Sequence, residues 1–371
     1  MIYKWGDLIS LEYGKPVKDK AKTDGKYPVY GTNGQIGTSD LPPLCNHASF
    51  ILGRKGAYRG VHYSSTPFSV IDTAFYAENL YPELLDIKWA YYKFLTYDIN
   101  SMDSGSAIPS TDRYEIYALE VDLPDIRVQE KQVQLLECFD DKILNLRQIN
   151  DNLQQQAQAI YHERYECIFS DALPSGWRIV TLGEVATISN KTFNPLKEPE
   201  TTLEHYSIPA FDEARFPVFE PSTSIKSNKF IIDASCFMIS KLNPTTKRVW
   251  KPYCLTENAV CSTEFIVYKA KDEAITDFLY SVIDSSSFSG FMCSHVTGST
   301  GSRQRTTPSD TLSYKLILPS EDELVEFQSL VSPMYAQMRI NAIENDKLKR
   351  LRDSLLPKLM SGEIDVSDIR L

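Results

Sequence analysis

The sequence is short of everything that usually marks an enzyme acting on nucleotides or nucleic acids. It has no Gly-x-x-x-x-Gly-Lys-[Ser/Thr] loop to cradle phosphates, which argues against ATP hydrolysis by this chain. It has no Asn-Pro-Pro-[Tyr/Phe] of the kind that holds a flipped base; Leu242-Asn243-Pro244-Thr245 is only a partial echo. Glu-x-Lys, common in metal-dependent nucleases, does not occur, nor does a Gly-x-Ser-x-Gly nucleophile elbow. The five histidines (47, 62, 162, 205, 295) form no His-x-x-x-His pair. The seven cysteines (45, 138, 167, 236, 254, 261, 293) form no Cys-x-x-Cys and have no histidine at zinc-motif spacing, so they read as reduced thiols. No catalytic residue and no metal site is therefore expected. No apolar run approaches the roughly 20 residues of a membrane span, and the start, Met1 to Asp7, has no signal-peptide core. A cytoplasmic protein with no membrane partner is the expectation.

The chain's 371 residues carry a formal charge of -10, which taken alone argues against a polyanionic partner. Local distribution argues the other way. Six bases (226, 229, 241, 247, 248, 251) face the single acid Asp233 between Lys226 and Lys251, and Gly53 to Gly60 holds Arg54, Lys55 and Arg59 with no acid. About half of the acidic excess falls in the helical stretches and the tail.

One arrangement occurs twice. Gly105-Ser106 precedes Leu123-Pro124 and a helical stretch from about Val128 to Arg164; Gly301-Ser302 precedes Leu318-Pro319 and a stretch from about Glu323 to Leu356. Gly105 and Gly301, Glu130 and Glu326, and Gln132 and Gln328 are each 196 positions apart, so a unit has been duplicated. Ahead of each loop come short strands, among them Ser49 to Leu52 and Ser69 to Phe75 in one half and Cys236 to Ile239 and Ala259 to Phe265 in the other. A helix follows in each, Ile87 to Tyr97 and Ile275 to Asp284. The fold class expected is α+β: two pseudo-symmetric domains separated by two long helices. Boundaries are placed at 1–125, 126–168 (first long helix), 169–320, 321–362 (second long helix) and 363–371 (tail).

The long stretches keep a heptad spacing. In the first, Leu136, Ile143, Asn150 and Ala157 share one position while Phe139, Leu146, Leu153 and Ile160 share its partner. In the second, Phe327, Met334, Asn341, Leu348 and Leu355 recur, with Val331, Met338 and Asn345. That pattern predicts coiled-coil packing, in which a buried Asn fixes register; alternatively, the asparagines mark a loosened seam. Connectivity makes the pair antiparallel. A kink or an end near Leu356 is expected at Pro357, while Ser361-Gly362 offers a C-terminal stop. Beyond it, residues 363–371 either return to the first domain or fray.

The polar loops supply the chemistry of DNA binding: bases to neutralise phosphates, and Arg, amide and hydroxyl groups to read base edges. Thr32, Asn33 and Gln35 stand on a tight Asn-Gly turn, and Arg54, Lys55 and Arg59 lie between glycines. The second half answers with Lys241, Asn243, Thr245, Lys247 and Arg248. The Gly-Ser loops add Ser106 in one half and Ser302, Arg303, Gln304 and Arg305 in the other. Two other readings remain open at this point, a non-catalytic coiled-coil scaffold for other proteins and a DNA-modifying enzyme.

Tyr27-Pro28-Val29-Tyr30-Gly31-Thr32-Asn33-Gly34, the linker Leu173-Pro174-Ser175-Gly176-Trp177 before Leu182-Gly183-Glu184, and the ending Leu355 to Ile364 complete the pattern. With these and the duplicated layout, the chain resembles the specificity subunits of type I restriction-modification systems. It departs at Trp5, which lacks the Pro-x-Gly approach seen before Trp177. The family's Pro-Pro-x-x-Glu-Gln is reduced to Leu123-Pro124 with Glu130-Lys131-Gln132, and to Leu318-Pro319 with Glu326-Phe327-Gln328. The resemblance implies that each domain is a target-recognition domain for half of a bipartite, asymmetric double-stranded DNA sequence. It implies helices that set the spacer and dock two modification (methyltransferase) subunits, which carry S-adenosylmethionine and methylate adenine. It also implies restriction/translocase subunits that carry ATP and Mg, with no cofactor in this chain.

Overall fold

A computed structural model describes residues 1–20, 22–102, 109–166, 173–297 and 304–366. The chain divides into two compact units, one of Met1–Ile143 with Lys347–Leu371, the other of Leu144–Asp346. The divisions fall inside the two long helices, so each unit owns a stretch of both.

The first unit begins with Ile2–Lys4, which pairs antiparallel with Glu120–Asp122, the strand just before the first long helix. A four-stranded sheet follows in the order Ile9–Tyr13, Ala74–Asn79, Ser49–Gly53, Val61–Ser64. Beside it, Tyr27–Gly31 pairs antiparallel with Gly34–Ser39 and parallel with Ser69–Val70. Burial explains the composition: every residue of Ser49–Gly53 is buried, as a central strand covered on both faces requires. Helix Ile87–Phe94 starts at Asp86, whose carboxylate accepts from the Lys88 and Trp89 amides and so caps the helix. Trp5, Trp89, Phe50 and Phe94 fill the core.

The second unit repeats this circuit. Arg178–Thr181 pairs antiparallel with Lys315–Leu318, the strand before the second long helix. A four-stranded sheet runs Ala186–Ser189, Phe265–Ala270, Cys236–Ser240, Val249–Trp250. In the neighbouring sheet Thr202–Tyr206 pairs antiparallel with Val218–Pro221 and parallel with Ala259–Ser262. The duplication read from the spacing is thus a duplication of strand pairing.

The long helices are Ile126–Tyr161, continued by a π-helical turn over His162–Glu166, and Glu321–Met360. They run antiparallel within each unit. In the first, Gln132 Nε2 donates to the Leu359 carbonyl at 2.7 Å and Arg352 pairs with Asp140 at 2.5 Å. In the second, Asn150 meets Asn341, and Arg164 meets Glu326 at 2.7 Å.

Of the expected seam, Leu136, Ile143, Leu146, Phe327 and Val331 are buried; Phe139, Leu153, Met334, Met338 and Leu348 are half-buried. Asn341 is buried, and its Nδ2 donates to Asn150 Oδ1 at 2.8 Å, while Asn150 Nδ2 donates to the Met338 carbonyl at 3.0 Å. Asn150 and Asn341 are therefore a bonded pair rather than a slack seam, whereas the Asn345 Oδ1 is buried with no hydrogen-bond partner among the described residues.

Of the two ends expected, Leu356 and Ser361-Gly362, the structure takes the second: the helix continues through Pro357 to Met360 and stops before Gly362, whose φ of 77° suits glycine. Leu356, Leu359 and Met360, buried in the first unit's core on both sides of the proline, offset the missing hydrogen bond. Val366 is fully buried in that core too, so the tail returns to the first unit at least this far. Among the described residues, no helix is long and apolar enough to cross a membrane.

Candidate nucleic-acid interface

In the first unit a tight loop pair gathers the expected residues. Ser49–Gly53 ends where Thr32 Oγ1 donates to the carbonyls of Lys55 and Thr73, each at 2.8 Å. The Arg54 and Lys55 amides bond the Thr73 carbonyl, the Gly56 amide bonds the Pro109 carbonyl, and the Thr111 amide bonds the Arg54 carbonyl. Gly56, at φ 123°, turns the backbone where most side chains would strain it. This network fixes Thr32, Arg54 and Lys55 beside residues 109–111, the descending side of the Gly-Ser loop. Asn33, Gln35 and Lys55 are exposed.

The second unit builds the same junction from different residues. The Lys241 amide bonds the Glu264 carbonyl, the Asn243 amide bonds the Gln304 carbonyl, and the Thr306 amide bonds the Lys241 carbonyl. Lys55 bridges to Ser110 in one unit, and Leu242 bridges to Arg305 in the other. Asn243, at φ 49°, stands where Gly56 stands, as an asparagine can. Lys241 is thus the counterpart of Arg54, and Gln304 and Arg305 are the counterparts of Pro109 and Ser110. Thr245 is exposed on the same loop. Ser106, Ser302 and Arg303 lie outside the described residues.

Several cations have internal partners that the sequence did not show. Arg59 corrects an expectation: it is only 2% exposed, and its Nη2 donates to the carbonyls of Ile99, Asn100 and Met102. It therefore ties its loop to residues 99–102 and presents no charge outward. Arg248 forks onto both carboxylate oxygens of Asp212 at 2.6 and 2.8 Å. Lys247 pairs with Asp284 at 3.0 Å; burial pushes that carboxyl up, and the lysine opposes the shift. Lys251 pairs with Asp277, and Lys229 donates to Ser227. Three of the six bases between Lys226 and Lys251, namely Lys247, Arg248 and Lys251, are thus paired with carboxylates within the fold. Arg305 grips Glu264 through two 2.9 Å bonds, holding that carboxyl below its usual range.

Sequence reasoning missed an exposed cation–aromatic stack beside Arg54. The Arg54 and Arg113 guanidiniums lie 4.7 and 5.1 Å from the Tyr13 ring centroid, and Arg113 is 5.1 Å from that of Tyr114. Tyr13 is 44% and Tyr114 65% exposed, a surface suited to phosphates and to bases alike. The only hint in the sequence was Arg113-Tyr114 shortly after the Gly-Ser loop. A second omission concerns cysteine: Cys45, His47 and Glu78 bring their ligand atoms within 4.8 Å of one another.

No family model matches the chain. Individual proteins do. The specificity subunit of the type I restriction enzyme MjaIX of Methanocaldococcus jannaschii is 23% identical over 326 residues, covering 76% of this chain and 70% of that one. The HindI specificity subunit of Haemophilus influenzae is also 23% identical, over 81% of each chain. In structure, the S subunit of a type I restriction-modification system from M. genitalium matches with a TM-score of 0.58 at 16% identity, over 97% of this chain and 95% of that one. In sequence and in fold, this chain is related to the specificity subunits of type I restriction-modification systems.

Proposed function

We propose that the chain is the DNA sequence-recognition subunit of a type I restriction-modification complex, each unit reading one half of a bipartite, asymmetric target. The observation that carries this is the recurrence of one loop junction in both units, with the same backbone bonds and different side chains: Arg54, Lys55 and Ser110 against Lys241, Leu242 and Arg305. A shared frame with exchanged side chains is what two readers of unlike half-sites need. The helices set the unread spacer and dock two modification subunits. In support, Leu144, Ile149, Val325, Leu330, Ile340 and Leu351 are exposed on them. The chain contributes sequence choice and no catalysis. S-adenosylmethionine belongs to the modification subunits, ATP and Mg to the restriction/translocase subunits, and the complex works in the cytoplasm.

The test is DNA binding by the reconstituted complex with Arg54, Lys55 and Lys241 all changed to alanine. Lys247 and Arg248 are left alone, since their charges are already engaged with Asp284 and Asp212. Affinity should fall, and the salt dependence should flatten by about one unit of slope for each phosphate that is no longer neutralised. An unchanged affinity and slope would sink the assignment.

A further inference from the structure

We propose that Cys45, His47 and Glu78 form a binding site for one divalent cation of the zinc class. Cys45 is 1% exposed and is held by reciprocal 2.9 Å backbone bonds with Phe68. Two residues on, His47 turns back, so that its Nε2 lies 3.6 Å from Cys45 Sγ and 3.2 Å from Oε2 of Glu78, on strand Ala74–Asn79. Tetrahedral zinc takes sulfur at about 2.3 Å and nitrogen or oxygen at about 2.0 to 2.2 Å. Those lengths put sulfur and nitrogen about 3.6 Å apart and nitrogen and oxygen about 3.4 Å apart. The sulfur–nitrogen spacing in the fold matches, the nitrogen–oxygen spacing of 3.2 Å is slightly shorter, and all three donor atoms lie within 4.8 Å of one another.

The donor types point the same way. A soft sulfur, an imidazole and a carboxylate together suit zinc or its borderline neighbours and do not suit magnesium or calcium, which take oxygen. His47 and Glu78 are half and about one-third exposed, at 50% and 38%, which gives an ion an entry path and leaves a fourth position for water. On binding, the thiol releases one proton to solvent as sulfur–metal bonding replaces it. The Cys-x-His spacing is tighter than the common zinc motifs, and Glu78 is distant in sequence, so no motif reveals the set. The ion's place is structural: it ties the loop around Cys45 to the central sheet, over the cluster of Ile51, Phe68, Val70 and Tyr76.

The experiment strips the full chain of metal with a chelator and titrates it with cobalt(II), then displaces the cobalt with zinc. One cobalt per chain should bind with the visible bands of tetrahedral coordination and a near-ultraviolet thiolate charge-transfer band. Cys45→Ser should abolish that band. His47→Ala, an exposed change that spares the core, should weaken binding more than about tenfold, with circular dichroism unchanged. Cys138→Ala removes an exposed thiol elsewhere and should change neither. The proposal is overturned if the wild-type chain shows no charge-transfer band, if His47→Ala binds as tightly as wild type, or if Cys138→Ala removes the band.

Discussion

At Gly53 the chain has room for a hydrogen and nothing larger. A Cβ there would stand 2.6 Å from the Thr32 carbonyl oxygen and 2.9 Å from the Arg59 Cα, both backbone atoms that cannot swing aside. Gly53→Ala should therefore destabilise the first unit by roughly 1–3 kcal/mol, the usual range for overpacking, read as a lower unfolding midpoint. An unchanged midpoint would mean that the junction of the Thr32 and Arg54 loops gives way easily. His62 lies nearby, its Nε2 buried without a hydrogen-bond partner among the described residues. Burial holds its imidazole below the ordinary value, partly offset by the Thr32 backbone. The unfolded chain then takes up the proton more readily, so stability from the neutral ring is full above about pH 6.5 and is lost as pH falls below it. The gap in stability between wild type and His62→Gln should accordingly change between about pH 7 and pH 5, whereas parallel curves would show that His62 has no part in the pH dependence.

The Asn150–Asn341 pair governs the long helices in the second unit. Asn341 also accepts from Gln337 Nε2 at 2.8 Å, so both amides are engaged in a seam otherwise built of Val331, Met334 and Met338. Asn341→Leu leaves the Asn150 Oδ1 without its donor and should cost about 1–3 kcal/mol. Changing both asparagines to leucine should cost much less than the sum of the single changes, with a coupling of about 0.5–3 kcal/mol in a denaturation cycle. Strict additivity would show that the pair does not act as a unit. The heptads were legible because period is local: each seam residue is recognised from neighbours seven positions away. Tyr335, which donates to or accepts from Ser281 at 2.7 Å, was not, because its burial comes from the helix Thr276–Ile283 and not from a partner heptad. Pro357 left the helix end open between Leu356 and Gly362 for the same reason, since the core that carries the helix through it belongs to the first unit.

Across the whole chain, duplication was legible because loops, stops and helices recur at a fixed interval, and strand pairing followed the same order twice. The charge map was not. Arg248 finds Asp212, Lys251 finds Asp277 and Arg59 finds the carbonyls of residues 99–102 across tens of positions, where no window of sequence joins donor to acceptor. Among the described candidate residues, those left without a carboxylate partner include Arg54 with Lys55 and the Tyr13–Arg113–Tyr114 stack in one unit, and Lys226 and Lys241 in the other. If the long helices set the spacer, removing one heptad from each, in register, should alter the number of unread base pairs in the target and leave both half-site sequences intact.

The central claim is that each unit reads its own half-site, and mapping methylated adenines genome-wide in cells with and without this chain, alongside its modification subunits, tests it most directly. The predicted result is an asymmetric bipartite motif with a fixed spacer that disappears without the chain, and whose first half alone changes when the first unit's loops are replaced by another reader's. A methylation pattern indifferent to the chain, or a replacement that alters both halves together, would contradict it.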